Sequence, residues 1–355
     1  MKIQSLQLEY FKKFHKLNLD FTDSETGLAK DLIVILGMNG LGKTSILQAI
    51  AATLGTATGR LQQIPDLTYY WTGFNYELLS SNWGKFQPTV YLQVELSQSE
   101  INATREFSQK LRHMGKELIQ PSNQPIINLQ WQDLQVRADS AEELFQLKGR
   151  EYAKQLVRSE GFKVFEKVGG VLWYTEQRTS TSLTSEDRNN KIDITEDVLR
   201  DRLSKWQLFN QNVTSGKIRE LRLGQKDLYA EIEQNYQAIF PEHSFEGPVP
   251  REDFDDILKE PWFYLYDGKH QYEISEMSGG ERAIFPILVD FASWNIHNSV
   301  ILIDELELHL HPPMQQAFLQ ALFKLGNNNQ FIITTHSDYV EQLVPESNII
   351  RLEEQ

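Results

Sequence analysis

Residues 32–49 read LIVILGMNGLGKTSILQA, an apolar run followed by a glycine-rich loop and a helical pattern. Within this stretch, Gly37, Gly42, Lys43 and Thr44 fit the phosphate-loop pattern G-x-x-x-x-G-K-[ST]. Glycines let backbone N–H groups surround a triphosphate, the lysine reaches the β and γ phosphates, and the threonine hydroxyl binds Mg²⁺. Because a strand should precede the loop and a helix should follow it, the phosphates would lie at a helix N-terminus. We predict that ATP is bound by Asn39, Gly40, Gly42, Lys43, Thr44 and Ser45.

The composition limits the classes of protein to which this chain can belong. It has 355 residues, a net charge of −14 and no cysteine, so disulfides and thiolate metal sites are excluded. The negative charge argues against a surface that attracts nucleic acid broadly. No stretch of the sequence resembles a signal peptide or has the length of a membrane span. We therefore expect a cytoplasmic, soluble protein with no membrane partner.

One local basic face departs from this acidic balance. Arg219, Arg222 and Lys226 follow the i, i+3, i+7 spacing that places side chains on one side of a helix. They have two interpretations: a solvated face that pairs with nearby acids such as Glu220 and Asp227, or a contact to DNA.

Periodicity predicts an α/β chain with buried strands and amphipathic helices. Strands are predicted at 3–10, 16–21, 32–36, 89–96, 127–131, 171–174, 299–304 and 330–335, and a hairpin at 263–274. Helices are predicted at 44–54, 99–113, 141–158, 279–294 and 312–325, and one or two within 194–240 with a break near Gly216. The polar segment 179–193 is predicted to be a loop.

A second chemical motif is an apolar strand that ends in two carboxylates. The strand Val300–Ile303 runs directly into Asp304 and Glu305. Asp304 is predicted to support Mg²⁺ through water. Glu305 is predicted to orient and deprotonate the water that attacks the γ-phosphate.

A third motif, residues 277–281 (MSGGE), opens an apolar helix and is named the signature turn below. A serine hydroxyl and unpaired N–H groups at a helix start form a site for an anion. We predict that this turn contacts nucleotide through Ser278, Gly279, Gly280 and Glu281.

Two further polar residues follow predicted core strands. His336 comes directly after the strand Gln330–Thr335 and is predicted to bond the γ-phosphate. Gln177 follows the strand Val171–Tyr174 and is predicted to contact Mg²⁺ and the attacking water.

In this order, the phosphate loop, Gln177, the signature turn, the acidic strand end and His336 resemble the ATP-binding-cassette (ABC) ATPases. The resemblance implies an ABC-type P-loop NTPase head with a mainly helical insertion between the phosphate loop and the signature turn. It also implies a Mg²⁺-dependent ATPase whose catalytic residues are Glu305, His336 and Gln177. In such enzymes the signature of one protomer closes on the ATP of the other, so a homodimer is expected.

Residues 304–312, DELELHLHP, resemble the D-E-P-E-x-H-L-H-P run of the overcoming-lysogenization-defect (OLD) ATPases, with Leu306 in place of proline. Residues 333–337 (ITTHS) and 8–14 (LEYFKKF) fit the same group. This resemblance implies control of a separately encoded effector, such as a nuclease, in bacterial anti-phage defence. Because only 19 residues follow His336, we expect no TOPRIM nuclease domain after it. His309 and His311 have two interpretations, a metal pair or residues that position a dimer interface.

Three other functions compete with this interpretation. A RecF-like clamp would close on DNA in repair when ATP binds. A scaffold would hold ATP with negligible turnover. A transporter cassette is disfavoured because 236 positions separate Gly42 from Ser278, far more than in transporters.

The predicted domain organisation follows the motifs. Residues 1–54 form the N-terminal lobe of the head with the phosphate loop. Residues 55–261 form the insertion, which includes some head strands and a helical arm with the Gln177 loop. Residues 262–355 form the C-terminal lobe with the signature turn, the acidic strand end and His336.

Overall fold

The computed structural model describes residues 1–59, 83–133, 135–174, 180–181, 196–218, 226–251 and 261–353. Gln177, Arg219 and Arg222, to which the sequence assigns roles, lie outside the described residues, as does most of the predicted loop at 179–193.

The described part of the chain forms fourteen strands and nine α-helices. The strands are β1 (Lys2–Phe11), β2 (Phe14–Asp20), β3 (Leu32–Leu36), β4 (Thr89–Glu95), β5 (Ile126–Gln132), β6 (Gln135–Ala138), β7 (Val171–Tyr174), β8 (Ser180–Thr181), β9 (Ser244–Val249), β10 (Trp262–Tyr266), β11 (Gln271–Glu273), β12 (Val300–Ile303), β13 (Gln330–Thr335) and β14 (Ile349–Arg351). The helices are α1 (Lys43–Ala57), α2 (Gln98–His113), α3 (Ala141–Gln146), α4 (Gly149–Glu160), α5 (Glu196–Thr214), α6 (Leu228–Gln237), α7 (Gly279–Trp294), α8 (Pro312–Leu322) and α9 (Asp338–Leu343). None of these helices combines the length and apolar composition that crossing a membrane requires.

The central sheet has the strand order β14-β3-β13-β12-β7-β8. Only β8 runs antiparallel to its neighbour among these strands. β7, β12 and β13 are buried along their whole length, because the sheet is covered on both faces. Since parallel strands end at the same edge, the segments that follow β3, β12 and β13 meet there. These segments are the phosphate loop, the acidic strand end and His336.

A second, antiparallel sheet covers α1 on one side of the central sheet, in the order β2-β1-β4-β5-β6. One continuous core joins Leu6 and Val90 of this sheet, Ile46 and Ile50 of α1, and Ile33 of β3. The helix that follows the phosphate loop is therefore packed between two sheets, which fixes its N-terminus relative to both.

The opposite face of the central sheet packs against helices and a small third sheet, ordered β11-β10-β9. Their shared core includes Leu203 of α5, Tyr236 of α6, Phe263 of β10, Phe285 of α7 and Ile301 of β12. Consequently α5 and α6 belong to the same packed layer as α7, whose first turn is the signature turn.

Two predictions about the helices have different outcomes. The helix predicted at 141–158 is wrong, because the chain forms α3 and α4 with a break before Gly149. A Cβ on Gly149 would lie 2.4 Å from Thr104 Oγ1 and 2.9 Å from Val168 Cγ1. The backbone approaches α2 closely at this point, and helical periodicity does not reveal such an approach. The predicted break near Gly216 is confirmed, since α5 ends at Thr214 and Gly216 has a φ of +72°.

Candidate nucleotide site

The phosphate loop ends in a left-handed glycine that starts α1. Gly42 has a φ of +95°, and a Cβ there would lie 2.6 Å from Cζ of Phe14. Both the backbone conformation and the space therefore require glycine. Among the described residues, no side chain caps the N-terminus of α1, and the first turn carries no acidic residue. The first N–H groups of α1 are thus suited to bind an anion.

Two lysines are held by carbonyl groups of the loop itself. Nζ of Lys43 donates to the carbonyl oxygens of Gly37 at 2.6 Å and Met38 at 3.1 Å. Nζ of Lys13, in the turn between β1 and β2, donates to the carbonyl of Gly40 at 2.8 Å. Phosphate oxygens can replace these carbonyls as acceptors, because a lysine ammonium has three donors.

All six predicted phosphate-loop ligands surround one cavity of about 300 Å³. Its lining consists of Lys12, Lys13, Asn39, Gly40, Gly42, Lys43, Thr44, Ser45 and Glu305. Glu305 comes from a segment far along the chain, so the fold brings the predicted base to the predicted phosphate site. The volume is at the lower end of the range of small-molecule sites.

The lining lysines Lys12 and Lys13 were not predicted to be site residues. Burial lowers the pKa of Lys12 to about 8. An aromatic cluster supports their turn: the rings of Tyr10 and Phe86 stack at 4.3 Å, and Nε1 of Trp83 donates to the Lys12 carbonyl at 2.8 Å. The signal in the sequence was a pair of lysines between the predicted strands 3–10 and 16–21, and the sequence does not give their distance from the phosphate loop.

One threonine orders the acidic strand end. Oγ1 of Thr334, on β13, donates to Oδ1 of Asp304 at 2.5 Å and accepts from the backbone N–H of Glu305 at 2.9 Å. Asp304 is 2% exposed, and its backbone N–H donates to the carbonyl of Tyr174 at 2.9 Å. Asp304 is therefore fixed through its carboxylate by β13 and through its backbone by β7. The sequence did not reveal this role of Thr334, because a threonine inside a predicted buried strand indicates only a core position.

Glu305 has an unusual backbone conformation for its residue type. Its φ is +47°, in the left-handed region that L side chains rarely adopt. This conformation turns the chain sharply at the end of β12 and places Glu305 on the wall of the cavity. Backbone strain of this kind is concentrated at functional sites.

The residues present fit a magnesium ion. Thr44, which carries a hydroxyl, lines the cavity, and Asp304, which does not line it, directly precedes Glu305 of the cavity wall. Hydroxyl and carboxylate oxygens both suit Mg²⁺. In the described ranges no group of three or more His, Cys, Asp or Glu residues is arranged to hold a metal. A Mg²⁺ ion here would therefore depend on phosphate oxygens and water for most of its ligands.

His336 is held by a carboxylate that the sequence analysis did not assign. Its Nδ1 lies 2.6 Å from Oε1 of Glu307, and its backbone N–H donates to the same oxygen at 2.7 Å. Oγ1 of Thr335 donates to Oε2 of Glu307 at 2.7 Å. Because Nδ1–H faces the carboxylate, Nε2 is the nitrogen that faces away from it.

The signature turn begins α7 with a capping box. Oγ of Ser278 accepts from the backbone N–H of Glu281 at 3.3 Å, and the backbone N–H of Ser278 donates to Oε2 of Glu281 at 2.8 Å. Ser278 and Gly279 are exposed, whereas Gly280 and Glu281 are buried. Within the described part of the chain, none of these four residues lines the cavity around Lys43.

The carboxylate of Glu281 is bonded within its own chain. Oε1 accepts hydrogen bonds from the hydroxyls of Tyr236 and Tyr272. Burial alone would raise the pKa of Glu281, but the bonds from the tyrosines and Ser278 outweigh it and hold the pKa below its usual value. Burial also raises the pKa of both tyrosines, which therefore remain donors. A direct contact of Glu281 with nucleotide stays a prediction.

His309 and His311 lie in the segment between β12 and α8, which approaches the signature turn at Gly280. His309 has a φ of +64°, and its carbonyl oxygen lies 3.5 Å from the position that a Cβ on Gly280 would occupy. His311 is the N-cap residue of α8. Both interpretations of this pair stay predictions, as does the role of Gln177 outside the described residues.

A family model for the AAA ATPase domain matches residues 1–340. The chain belongs to the AAA ATPase domain family. It is therefore an ATPase, and the predicted α/β P-loop NTPase fold is confirmed. The structure of an SMC head bound to the C-terminal winged-helix domain of ScpA has the same fold, with a TM-score of 0.55 and 15% identity over 100% of this chain and 95% of that one.

Curated relatives of this AAA ATPase match nearly its whole length. The Retron Ec83 probable ATPase of Escherichia coli is 23% identical, over 98% of this chain and 71% of that protein. The Retron Vc95 probable ATPase of Vibrio cholerae serotype O1 biovar El Tor is 26% identical, over 98% and 73%. The Septu protein PtuA of Bacillus mycoides (strain KBAB4) is 24% identical, over 94% of this chain and 38% of that protein.

The arrangement in this AAA ATPase supports hydrolysis of a terminal phosphate. Lys43 and the N-terminus of α1 would stabilise the negative charge of the phosphates, and Glu305 lies on the cavity wall, where it can accept a proton from water. A bound Mg²⁺ would neutralise charge on the phosphate oxygens.

Proposed function

We propose that this AAA ATPase dimerises around ATP and Mg²⁺ through its signature turn, and that the ATP-bound homodimer controls a separately encoded effector. The effector is a protein such as a nuclease, the setting is bacterial anti-phage defence, and the protein belongs to the OLD-like group. We propose further that the protein acts in the cytoplasm, and that its domains are an N-terminal lobe (1–54), an insertion (55–261) and a C-terminal lobe (262–355).

The observation that carries the proposal is the separation of two half-sites. Lys43, Thr44 and Glu305 surround the cavity, and within the described residues the signature turn does not line it. Ser278 and Gly279 are exposed at the start of α7 instead. A second copy of the chain can bring its Ser278 hydroxyl and α7 N-terminus to an ATP in this cavity. Two copies related by a twofold axis would complete both sites together.

In the proposed reaction, water attacks the γ-phosphorus while its proton passes to the carboxylate of Glu305, and ADP leaves. Thr44 and Asp304 would hold Mg²⁺. Nε2 of His336, which faces away from Glu307, would bond the γ-phosphate, and Gln177 would contact the metal and water. Product release would then separate the two copies.

The role in defence is supported by two kinds of likeness. The relatives at 23–26% identity include two retron ATPases and a Septu protein. The run DELELHLHP resembles the corresponding run of OLD ATPases. The first likeness supports the role in anti-phage defence, and the second is the basis for proposing a separately encoded effector.

A DNA clamp receives less support from the described residues. Nζ of Lys226, part of the predicted basic face, donates to Oδ1 of Asn295 at 2.7 Å and lies 3.7 Å from Oε1 of Glu231. This lysine is thus engaged within the protein, with Asn295 and Glu231, and both interpretations of the basic face stay predictions.

The test is the molar mass by light scattering of the wild type and Glu305→Gln, with and without ATP and Mg²⁺. We expect Glu305→Gln to accumulate as a dimer in ATP and Lys43→Ala to stay monomeric. A Glu305→Gln protein that remains monomeric in saturating ATP contradicts the dimer. Co-purification with a nuclease encoded by a neighbouring gene supports the effector, whereas a dimer that arrives alone and binds DNA supports the clamp.

A further inference from the structure

The segment that leads into the signature turn is anchored at its start by a buried ion pair. Nε and Nη2 of Arg200, on α5, donate to Oε1 and Oε2 of Glu273 at 2.6 and 2.7 Å, respectively. Arg200 and Glu273 are 6% and 7% exposed. Oε2 of Glu273 also accepts from the backbone N–H of Ser275 at 2.8 Å. A two-pronged bond of this kind fixes orientation as well as distance.

The same segment is anchored at its end by the tyrosines that bond Glu281. Tyr236 lies on α6 and is fully buried, and Tyr272 lies on β11. The two hydroxyl oxygens lie 3.3 Å apart, and both hydroxyls donate to Oε1 of Glu281. The other carboxylate oxygen, Oε2, accepts from the backbone N–H of Ser278. The position of the Ser278 backbone therefore depends on a carboxylate that α6 holds.

The segment from Glu273 to Glu281 consists of nine residues. After Glu273 it contains only a single 3₁₀ turn, Ile274–Glu276, and the signature turn. Oε2 of Glu276 accepts from the backbone N–H of Glu273 at 2.9 Å, so the short segment is also bonded to itself. A segment of nine residues with polar anchors at both ends has little freedom to move independently of α5 and α6.

We propose that α5 and α6 set the position of the signature turn, and that Arg200, Tyr236 and Tyr272 are positioning residues for ATP-dependent dimerisation. This inference rests on the proposed function. Its physical basis is that hydrogen bonds weaken steeply when the donor–hydrogen–acceptor angle bends, and that a two-pronged ion pair fixes orientation as well as distance. A displacement of α5 or α6 by a bound protein would consequently move Ser278 relative to the ATP of the other copy.

The principal variant is the double substitution Tyr236→Phe/Tyr272→Phe, which removes both donors and keeps both rings. The matched control is Tyr229→Phe. Tyr229 lies in the same core, but its hydroxyl bonds Gln207 at 3.2 Å and the Phe245 carbonyl at 3.5 Å. The first measurement is hydrogen exchange of the amides of residues 278–283 without nucleotide. We expect faster exchange in the double variant, by about tenfold, and no change in the control.

The second measurement is ATP-dependent dimerisation in the Glu305→Gln background, together with ATP affinity of the monomer. We expect the protein concentration at half-dimerisation to rise about tenfold in the double variant, with unchanged ATP affinity, because the phosphate loop is untouched. Arg200→Lys should act in the same direction. Arg251→Lys is its control, since Arg251 also lies over the Trp262 ring and beside Asp197.

The outcomes separate this inference from the proposed function. If the Glu305→Gln protein does not dimerise in ATP, the proposed function fails, and with it the positioning role in dimerisation. Hydrogen exchange of residues 278–283 still shows, independently, whether the tyrosines hold the signature turn. If it dimerises, and the double variant matches Tyr229→Phe in exchange or in dimerisation, the inference alone is overturned.

Discussion

His336 and Glu307 form a close pair at the end of β13, with 2.6 Å between Nδ1 and Oε1. Glu307 also accepts the backbone N–H of His336 and the hydroxyl of Thr335, so it fixes both the ring and the strand end. We expect Glu307→Gln to lower kcat by about tenfold to a hundredfold, because an amide cannot accept all three bonds and the ring loses its orientation. Steady-state ATPase kinetics measure this, with KM expected to change little.

The control for this prediction is Glu341→Gln, which removes a carboxylate that bonds Arg351 on the surface. It should leave kcat unchanged. A Glu307→Gln enzyme with the wild-type kcat would show that the pair does not orient the histidine for catalysis.

Lys43→Ala should remove nucleotide binding while leaving the fold intact. The substitution deletes the ammonium that lies in the phosphate cavity, and the Gly37 and Met38 carbonyls that it bonds remain part of the loop. We expect the Kd for ATP to rise about a hundredfold or more, as measured by titration calorimetry. Lys16→Ala, at an exposed position on β2, is the control and should bind ATP normally. If Lys43→Ala and Lys16→Ala bound ATP with equal affinity, the phosphates would not lie beside Lys43.

Glu305→Gly should be more stable than Glu305→Ala, although both should lack hydrolysis. The φ of +47° at this position costs an L side chain about 1 kcal/mol that glycine does not lose. The usual order, in which glycine destabilises relative to alanine, should thus be reversed here. Urea unfolding of the two variants gives the difference directly. Alanine proving more stable would mean that the backbone conformation at 305 is not strained.

Glu273 should make unfolding depend on pH in the acid range. Burial would raise its pKa, but the bonds from Arg200 and Ser275 outweigh burial and lower the pKa to about 2, from an ordinary value of 4.5. A carboxylate whose pKa is lowered by folding stabilises the fold at pH values above its pKa in the unfolded chain. That stabilisation is lost as the pH falls from about 4.5 towards 2. Glu273→Gln should therefore cost about 3 kcal/mol at neutral pH, because Arg200 loses its buried partner.

The check on Glu273 is urea unfolding of the wild type and Glu273→Gln at neutral pH and at about pH 3. The difference in free energy of unfolding should shrink at the lower pH, because Glu273 is then protonated in the unfolded chain and still charged in the folded one. A difference that stays constant across this range would contradict the lowered pKa.

The local motifs could be predicted from the sequence because their chemistry depends on neighbours along the chain. The spacing of Gly37, Gly42, Lys43 and Thr44 places N–H groups and an ammonium around one anion. A carboxylate pair after an apolar strand must emerge at the sheet edge, as Asp304 and Glu305 do. Of these residues, Gly42, Lys43, Thr44 and Glu305 line one cavity.

The residues that the sequence analysis missed act through contacts between distant segments. Lys13 reaches the Gly40 carbonyl across 27 positions, and His336 reaches Glu307 across 29. Each of these residues has an ordinary local pattern: a lysine in a turn, a glutamate in a polar run. Their partners depend on the order of strands in the sheets, which no local periodicity encodes.

The sequence by itself determined the phosphate loop, the acidic strand end, the buried strands and the α/β class, because each follows from residue type and spacing within a few turns or one strand. Only the tertiary structure decided that Lys12 and Lys13 join the phosphate cavity and that Arg200, 73 positions before Glu273, anchors the segment of the signature turn. The physical reason is that hydrogen bonds and ion pairs act over about 3 Å, so they form only where packing of the sheets and helices brings distant segments together.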